Sequence, residues 1–496
     1  MARHIEFEPS RTLTEFRLLP GLTTDDTSIE QISLKTPLVR APDGESLLLH
    51  VPVVAAAMQA VSGSRMGIEL ARLGGVAFVY CSQPIGQQAA MVARIKGHKA
   101  GFVEPKTVSP DMTLRELDAL RREGGFTTFP VVTADGKLLG LITRRDYDVR
   151  AHADQPVSER MIPRVQLDVG IDIPDLETAN ELLIEGHRAV LPIVDRDDHL
   201  RYLVFRKDIE DHLDNPHQVV DGRKRLVAVA AINTRDHRER VPALVEAGVD
   251  VLSIDSSDGH SAYQRETIEW VRTNHPKLPV IGGNVITGEG FDYLAASGAG
   301  AVKVGMGGGS ICITQEQKGT GRGLATAIIN VVAARDRRTA ETGEYVPVIA
   351  DGGVVNSKDV VIALALGADA VMMGRYFARM DESPTEKLQI NGRVMKPYWG
   401  EGSARAREWS PSRYRHAAFV EGVEGFVEYA GKLRDNLPEL ASKIRAAMAS
   451  CGCATIRDLH ENAVLELVSG LAIREGNVHD IIQFGGDRDA LSSWSL

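Results

Sequence analysis

The sequence predicts a (β/α)8 barrel interrupted once by a tandem repeat, and three observations carry that reading. Apolar runs of strand length recur eight times, each followed by room for a helix. Between the second and third runs the alternation stops, and a stretch of chain repeats itself in a register of 62 residues. After the sixth run, four glycines fall within five residues and lead into Ser310, Cys312 and Thr314. An open, doubly wound sheet is the competing arrangement, but eight is the number that closes a barrel of fully buried strands.

In order along the chain, a polar leader precedes strand-like runs at residues 51–57 and 75–80, with a helical stretch at 65–73 between them. The pattern resumes at 226–231, 249–255, 279–282, 300–305, 347–350 and 368–373, with intervening helices such as 238–247. Inside the interruption, residues 128–146 align with 190–208, matching Pro130 to Pro192, Asp135 to Asp197 and Asp146 to Asp208. Each copy reads as a helix followed by a hairpin with an acidic turn, and two copies would bury their apolar faces on one another. The chain therefore divides into residues 1–103, an insert at 104–218, and 219–496.

At 496 residues, with 43% hydrophobic and 25% charged side chains, the composition is that of a globular protein with more than one domain. A formal net charge of −10 argues against sequence-independent nucleic-acid binding, which needs a basic surface, and leaves room for a local basic pocket for one phosphorylated ligand. The four cysteines cannot build a disulfide scaffold, and Cys451 and Cys453 lack the spacing of a zinc site. The first residues show no apolar signal region, and no run of eighteen apolar residues occurs. A reduced, cytoplasmic protein that neither crosses nor anchors in a membrane is expected.

In such a barrel, ligands sit at the C-terminal ends of the strands, and phosphates favour the loops after the seventh and eighth. Those loops read Asp351-Gly352-Gly353 and Gly374-Arg375-Tyr376. Glycine N–H groups and the Arg375 guanidinium suit a phosphate, and Asp351 can accept from a ribose diol. Ser310 offers a hydroxyl to an anion, and Cys312 a soft nucleophile. A glycine loop around a buried, inert thiol is the plain alternative for residues 303–315; the convergence of three such loops favours a phosphorylated nucleoside. No G-x-G-x-x-G joins a strand to a helix, so a dinucleotide would not be held by a Rossmann unit.

With these residues in place, the chain resembles the IMP dehydrogenase/GMP reductase family over nearly its whole length. The resemblance is carried by Leu18-Leu19-Pro20-Gly21, Met58, Asp255-Ser256-Ser257, Gly283-Asn284-Val285, Gly309 to Thr314, Asp351-Gly352-Gly353, Tyr398 to Ser403, and Arg413-Tyr414. The insert resembles a tandem CBS pair, with Thr143-Arg144-Arg145-Asp146 as a ribose-contacting T-x-x-D. Phe205 replaces that threonine in the second copy, so the two copies are not equivalent. Ala56-Ala57-Met58 departs from the commoner Ser-Pro-Met, and Arg375 stands where many members carry serine.

The resemblance implies NAD-dependent oxidation of IMP to XMP, the committed step of guanine nucleotide synthesis, through a covalent thioimidate on Cys312. A free thiol is only a few per cent thiolate at neutral pH, so the loop must activate it, with Lys303 and the backbone dipoles of residues 307–310 as sources of positive potential. By resemblance the phosphate meets Ser310, Gly353, Gly374, Arg375 and Tyr398, while Asp351 holds the ribose. Met58 lies against the base, and the backbone of Glu401 and Gly402 bonds its polar edge. Asp255 and Asn284 take the nicotinamide riboside, next to Gly305 and Gly307, with Arg235 and Tyr263 near the adenine.

Residues 399–420 read as an irregular, movable flap that brings Arg413 and Tyr414 into the vacated nicotinamide site to activate water. Arg413 as a base works against about 5 pK units, or roughly 7 kcal/mol, near pH 8. A Thr314 to Glu421 relay is the competing route, expected to matter at low pH. The resemblance also implies a potassium ion on the carbonyls of Gly305, Gly307 and Cys312, completed by Glu475, Gly476 and Asn477 of a neighbouring subunit. Asn477 stands where glycine is frequent. A homotetramer and an adenine or guanine nucleotide on the CBS pair follow from the same source, with an octamer of stacked tetramers as the alternative assembly. The rivals are GMP reductase, which runs on NADPH and usually lacks the insert and the Arg-Tyr pair, and a non-catalytic CBS nucleotide sensor.

Overall fold

The fold is that of a computed structural model describing residues 4–98, 102–103, 105–124, 127–173, 176–206, 215–409 and 419–479. Eight parallel strands close a barrel: β1 (Val53–Ala55), β2 (Val76–Val79), β3 (Val229–Ile232), β4 (Val251–Ile254), β5 (Val280–Val285), β6 (Ala301–Val304), β7 (Val348–Asp351) and β8 (Ala370–Met373). Closure runs through β8 on β1, where Val371 faces Val53, and through β2 on β3, where Phe78 faces Val229. The barrel expected from the sequence is therefore the barrel found.

Apolar residues fill these strands because both faces are covered. Val54, Phe78, Val229, Val251, Ile281 and Ile349 pack in one cluster, whereas their neighbours Val53, Val79, Ala230, Leu252, Val280 and Val348 pack in another. The period of two thus divides each strand between barrel interior and helical shell. Two charged residues interrupt the pattern, Lys303 on β6, 2% exposed, and Asp351 at the end of β7.

Most strands are shorter than the apolar runs that announced them, because the run ends serve the connections. Val227 donates to the Val219 carbonyl at 3.0 Å, ahead of β3. The helices at Ser64–Arg72 and His237–Glu246 lie within one residue of the stretches expected. A leader hairpin, Thr36–Arg40 with Ser46–Leu49, closes the floor of the barrel: Arg40 N–H donates to the Gly300 carbonyl at 2.9 Å and the Thr36 hydroxyl to that of Asp369 at 2.8 Å.

The insert interrupts the barrel between β2 and β3. Its first hairpin pairs Thr128–Val132 with Leu138–Thr143, and its second pairs Val190–Val194 with Leu200–Phe205, each strand offset from its counterpart by 62 residues. The helices Leu114–Gly124 and Leu176–Glu185 start in the same register. Leu141 and Leu203, one from each hairpin, pack together with Leu167, Val190 and Phe205. Asp208 lies outside the described residues.

Beyond β8, Leu388–Ile390, Arg393–Trp399 and Glu424–Glu428 form an antiparallel sheet in which Trp399 faces Glu424. That pairing carries residues 400–403 against 421–423 at the mouth of the barrel. The segment 399–420 is not irregular throughout: Ala404–Trp409 is a short helix, favoured by its Ala and Arg content, with the Ser403 hydroxyl accepting from Ala406 N–H at 3.3 Å.

Candidate active site

At the C-terminal end of β6 the chain must turn close under β7. Gly305 does so at φ +136°, where a Cβ would overlap the Asp351 carbonyl oxygen, so only glycine fits. The loop that follows is stitched to two others. Ile313 N–H donates to the Glu421 carbonyl at 3.1 Å and Val423 N–H to that of Ile311 at 3.0 Å; Glu421 N–H donates to the Gly402 carbonyl at 3.0 Å.

The stitching lines up three side chains. Cys312 Sγ lies 3.2 Å from Thr314 Oγ1, and Thr314 Oγ1 donates to Glu421 Oε2 at 3.0 Å. With its proton committed to the carboxylate, the threonine oxygen is left to accept from the thiol side. Thr314 and Glu421 are both buried, which strengthens the chain electrostatically. Lys318 Nζ stands 3.7 Å from Glu421 Oε2 and 3.2 Å from Asp258 Oδ2.

Cys312 opens into a cavity of about 410 Å³ at the barrel mouth, bounded by the loops after β6, β7 and β8. On its anion-binding side are Ser310, Gly353, Gly374, Arg375 and Tyr398. Burial pushes the Tyr398 hydroxyl well above the ordinary phenol range, so it remains a neutral donor. A Cβ on Gly374 would come within 2.7 Å of the Tyr398 hydroxyl and 3.1 Å of Met58 Sδ, so these groups crowd one wall.

Asp351, at the end of β7, accepts from Asn284 Nδ2 at 2.7 Å, and Asn284 also donates to the Gly305 carbonyl at 3.0 Å. Burial raises the Asp351 carboxyl, while the Lys303 ammonium and the Asn284 bond oppose that rise. Asp255, Gly307, Glu401, Gly402 and Glu421 complete the lining from the sequence-derived set.

Glu401 does more than offer backbone. Its carboxylate accepts from Gln59 N–H at 2.6 Å and from the Ser82 hydroxyl, and Gln59 Oε1 accepts from Trp399 Nε1 at 2.9 Å. This buried clamp fixes residues 399–402 to the loops after β1 and β2. Sequence reasoning missed Gln59, Ser82 and Lys318. Only Lys318 had a usable signal, since its four-residue spacing from Thr314 places both on one side of the helix Thr314–Lys318.

Other expected residues are not in this cavity. Arg235 is exposed in the loop after β3, and Tyr263 is 70% exposed at the start of the helix Ala262–Asn274. Glu475, Gly476 and Asn477 lie at the end of the helix Gly470–Glu475, with Gly476 near Arg17 of the leader. Arg413 and Tyr414 lie outside the described residues.

Known proteins resemble this chain over most of its length. A family model described as IMP dehydrogenase / GMP reductase domain matches residues 10–479. The chain is similar to the inosine-5'-monophosphate dehydrogenase of Tritrichomonas foetus, with 48% identity covering 96% of this chain and 97% of that protein. It is 38% identical to the enzyme of that name from Escherichia coli K12, covering 88% and 90%. Among solved structures, a point variant of GMP reductase from Trypanosoma brucei in complex with guanosine 5'-monophosphate superposes with a TM-score of 0.81 at 29% identity, covering 96% of this chain and 99% of that one. Coverage that wide takes in the insert, so the insert does not separate reductase from dehydrogenase.

Proposed function

The chain belongs to the IMP dehydrogenase / GMP reductase family, and from that premise we propose how its own residues carry the reaction. It is an NAD-dependent IMP dehydrogenase, oxidising IMP. The nucleotide's phosphate rests on Ser310, Gly353, Gly374, Arg375 and Tyr398, its ribose on Asp351, and its base beside Met58 and the clamped backbone at Glu401 and Gly402. That placement sets C2 of the base over Cys312 Sγ.

Cys312 adds to C2 as its proton leaves through Thr314 toward Glu421. Loss of hydride from C2 leaves a thioimidate, and water added to that carbon releases XMP and restores the thiol. NAD supplies the acceptor for the hydride. Asp255 and Asn284, which line the same cavity as Cys312, suit the nicotinamide riboside; Arg235, in the loop after β3, and Tyr263, in the first turn of the helix after β4, lie outside that cavity at the same end of the barrel and suit a more distant adenine.

The observation that carries this reading is the chain of contacts from Cys312 Sγ through Thr314 to Glu421 on the floor of the cavity. It gives the nucleophile a proton acceptor and, once Glu421 has passed that proton to solvent, gives the later water a base. Arg413 and Tyr414 are proposed as the second, flap-borne route to that water. The carbonyls of Gly305, Gly307 and Cys312 are hard oxygen donors of the type a potassium ion selects. A neighbouring subunit's residues 475–477 would complete that shell, which links potassium to a homotetramer and to its stacking into octamers.

Residues 104–218 are proposed as a CBS pair for an adenine or guanine nucleotide. Among the described residues no helix is long and apolar enough to cross a membrane. The free cysteines support a reduced, cytoplasmic setting. The test is to mix the purified protein with IMP, NAD and potassium and follow NADH. NADH formation is expected; turnover of GMP with NADPH instead would select the reductase, and tight nucleotide binding with neither activity would select a sensor.

A further inference from the structure

On the floor of the barrel, at the end opposite the catalytic loops, lies a second cleft of about 500 Å³. It is lined by the leader segment 29–35, by His50 just ahead of β1, by His217 where the insert returns to the barrel, and by Ser442 and Arg445 of the helix Leu433–Ser450. Four basic side chains converge there: Lys35, His50, His217 and Arg445. Glu30 is the one acidic residue in the lining. Among the described residues none of the four basic groups has a carboxylate within ion-pair distance. Arg445 Nε is spent on the Ile32 carbonyl at 3.2 Å, and the His50 and His217 rings sit 5.5 Å apart.

In a chain of net charge −10, Lys35 and Arg445 keep fixed positive charge at this cleft beside the His50 and His217 rings, against the single carboxylate of Glu30, and the local field attracts an anion. His217 and Arg445 also border a smaller slot of about 170 Å³, walled by Val51, Leu73, Leu437 and Pro438, with Arg72 at its edge. We propose that this floor cleft binds a multiply charged phosphate anion, whose charge is met jointly by the leader, the returning end of the insert and the C-terminal helix. The adjoining slot has room for an apolar group carried by such a ligand. Occupancy would add an ionic tie between the insert's return and the barrel to the direct pairing of Lys96 with Asp221 at 2.8 Å. The site is independent of the catalytic reading.

Protonation follows from the same geometry. Burial, then His217 and Lys35, hold His50 below the ordinary histidine value. Facing it are Lys35 and Glu30 from the leader, His217 from the insert's return, Arg445 from the C-terminal helix, and Arg72 from the neighbouring slot. An anion favours the charged form of His50, so binding takes up a proton and strengthens as pH falls.

The test is calorimetric titration of the full-length protein with tripolyphosphate, with saturating IMP present to fill the catalytic phosphate site. Wild type is expected to bind about tenfold more tightly near pH 6 than near pH 8. Arg445→Gln and Lys35→Gln should each weaken binding about three- to tenfold. Lys35→Gln guards against misfolding, since Lys35 is exposed and its side chain holds no other element. Absence of binding, or equal affinity in wild type and both variants, would overturn the proposal. So would a change of oligomeric state in the variants without any loss of anion affinity, because the cleft would then be a subunit contact.

Discussion

The hydroxyl of Thr314 is the pivot of the site, since it touches the nucleophile on one side and a buried carboxylate on the other. If Glu421 is the final acceptor in that relay, Glu421→Gln should slow release of the covalent intermediate by about 10²- to 10³-fold at acidic pH. The loss should shrink toward alkaline pH, where Arg413 takes over. Stopped-flow kinetics across the pH range check this, and Arg413→Ala should show the mirror-image profile. An Arg413→Ala enzyme with unaltered hydrolysis, beside a dead Glu421→Gln, would reverse the ranking. Cys312 and Thr314 stood out in the sequence because their glycine loop converges with the loops after β7 and β8; alone it reads as a plain turn around a buried thiol. The Glu401 clamp did not stand out, because its partners Gln59 and Ser82 lie 342 and 319 residues away and carry no local pattern.

Among the elements, the strand Arg393–Trp399 delivers Tyr398 and the clamped turn to the barrel mouth, and a buried lysine anchors it. Lys396 Nζ donates to the carbonyls of Met380 at 2.6 Å and Ser383 at 3.3 Å, and burial lowers its pKa to about 8. The folded chain therefore releases this proton at lower pH than the unfolded chain does. Between about pH 8 and the ordinary lysine value, the unfolded state binds more protons and the Lys396 contribution to stability rises with pH. The melting temperature of wild type relative to Lys396→Met should climb over that window and stay level below it; a flat difference throughout would refute the assignment. Barrel strands were recognisable from sequence because burial on both faces writes continuous apolar runs. Their ends were not, because residues such as Leu226 and Val227 are apolar for a packing reason outside the ladder. The helix Ala404–Trp409 escaped notice because it is too short to show periodicity.

For the molecule as a whole, the tandem repeat and the eightfold alternation were readable at a distance, since both are periods, whereas the floor cleft assembles from four separated segments and leaves no motif. The insert offers one direct check of its proposed role. Asp146 Oδ2 accepts from Thr143 N–H at 2.6 Å and Thr143 Oγ1 at 2.7 Å, which shapes the turn and leaves its other oxygen for a ribose. Asp146→Ala should therefore weaken adenine or guanine nucleotide binding to the insert about tenfold by calorimetry, and unaltered affinity would remove the nucleotide from this turn. The central claim is that the barrel mouth holds a purine nucleotide bonded covalently to one thiol. Intact-protein and peptide mass spectrometry of enzyme quenched during turnover of IMP and NAD tests it most directly. The account predicts a nucleotide-sized mass increase confined to Cys312 and lost in Cys312→Ala; turnover with no adduct on that residue would contradict it.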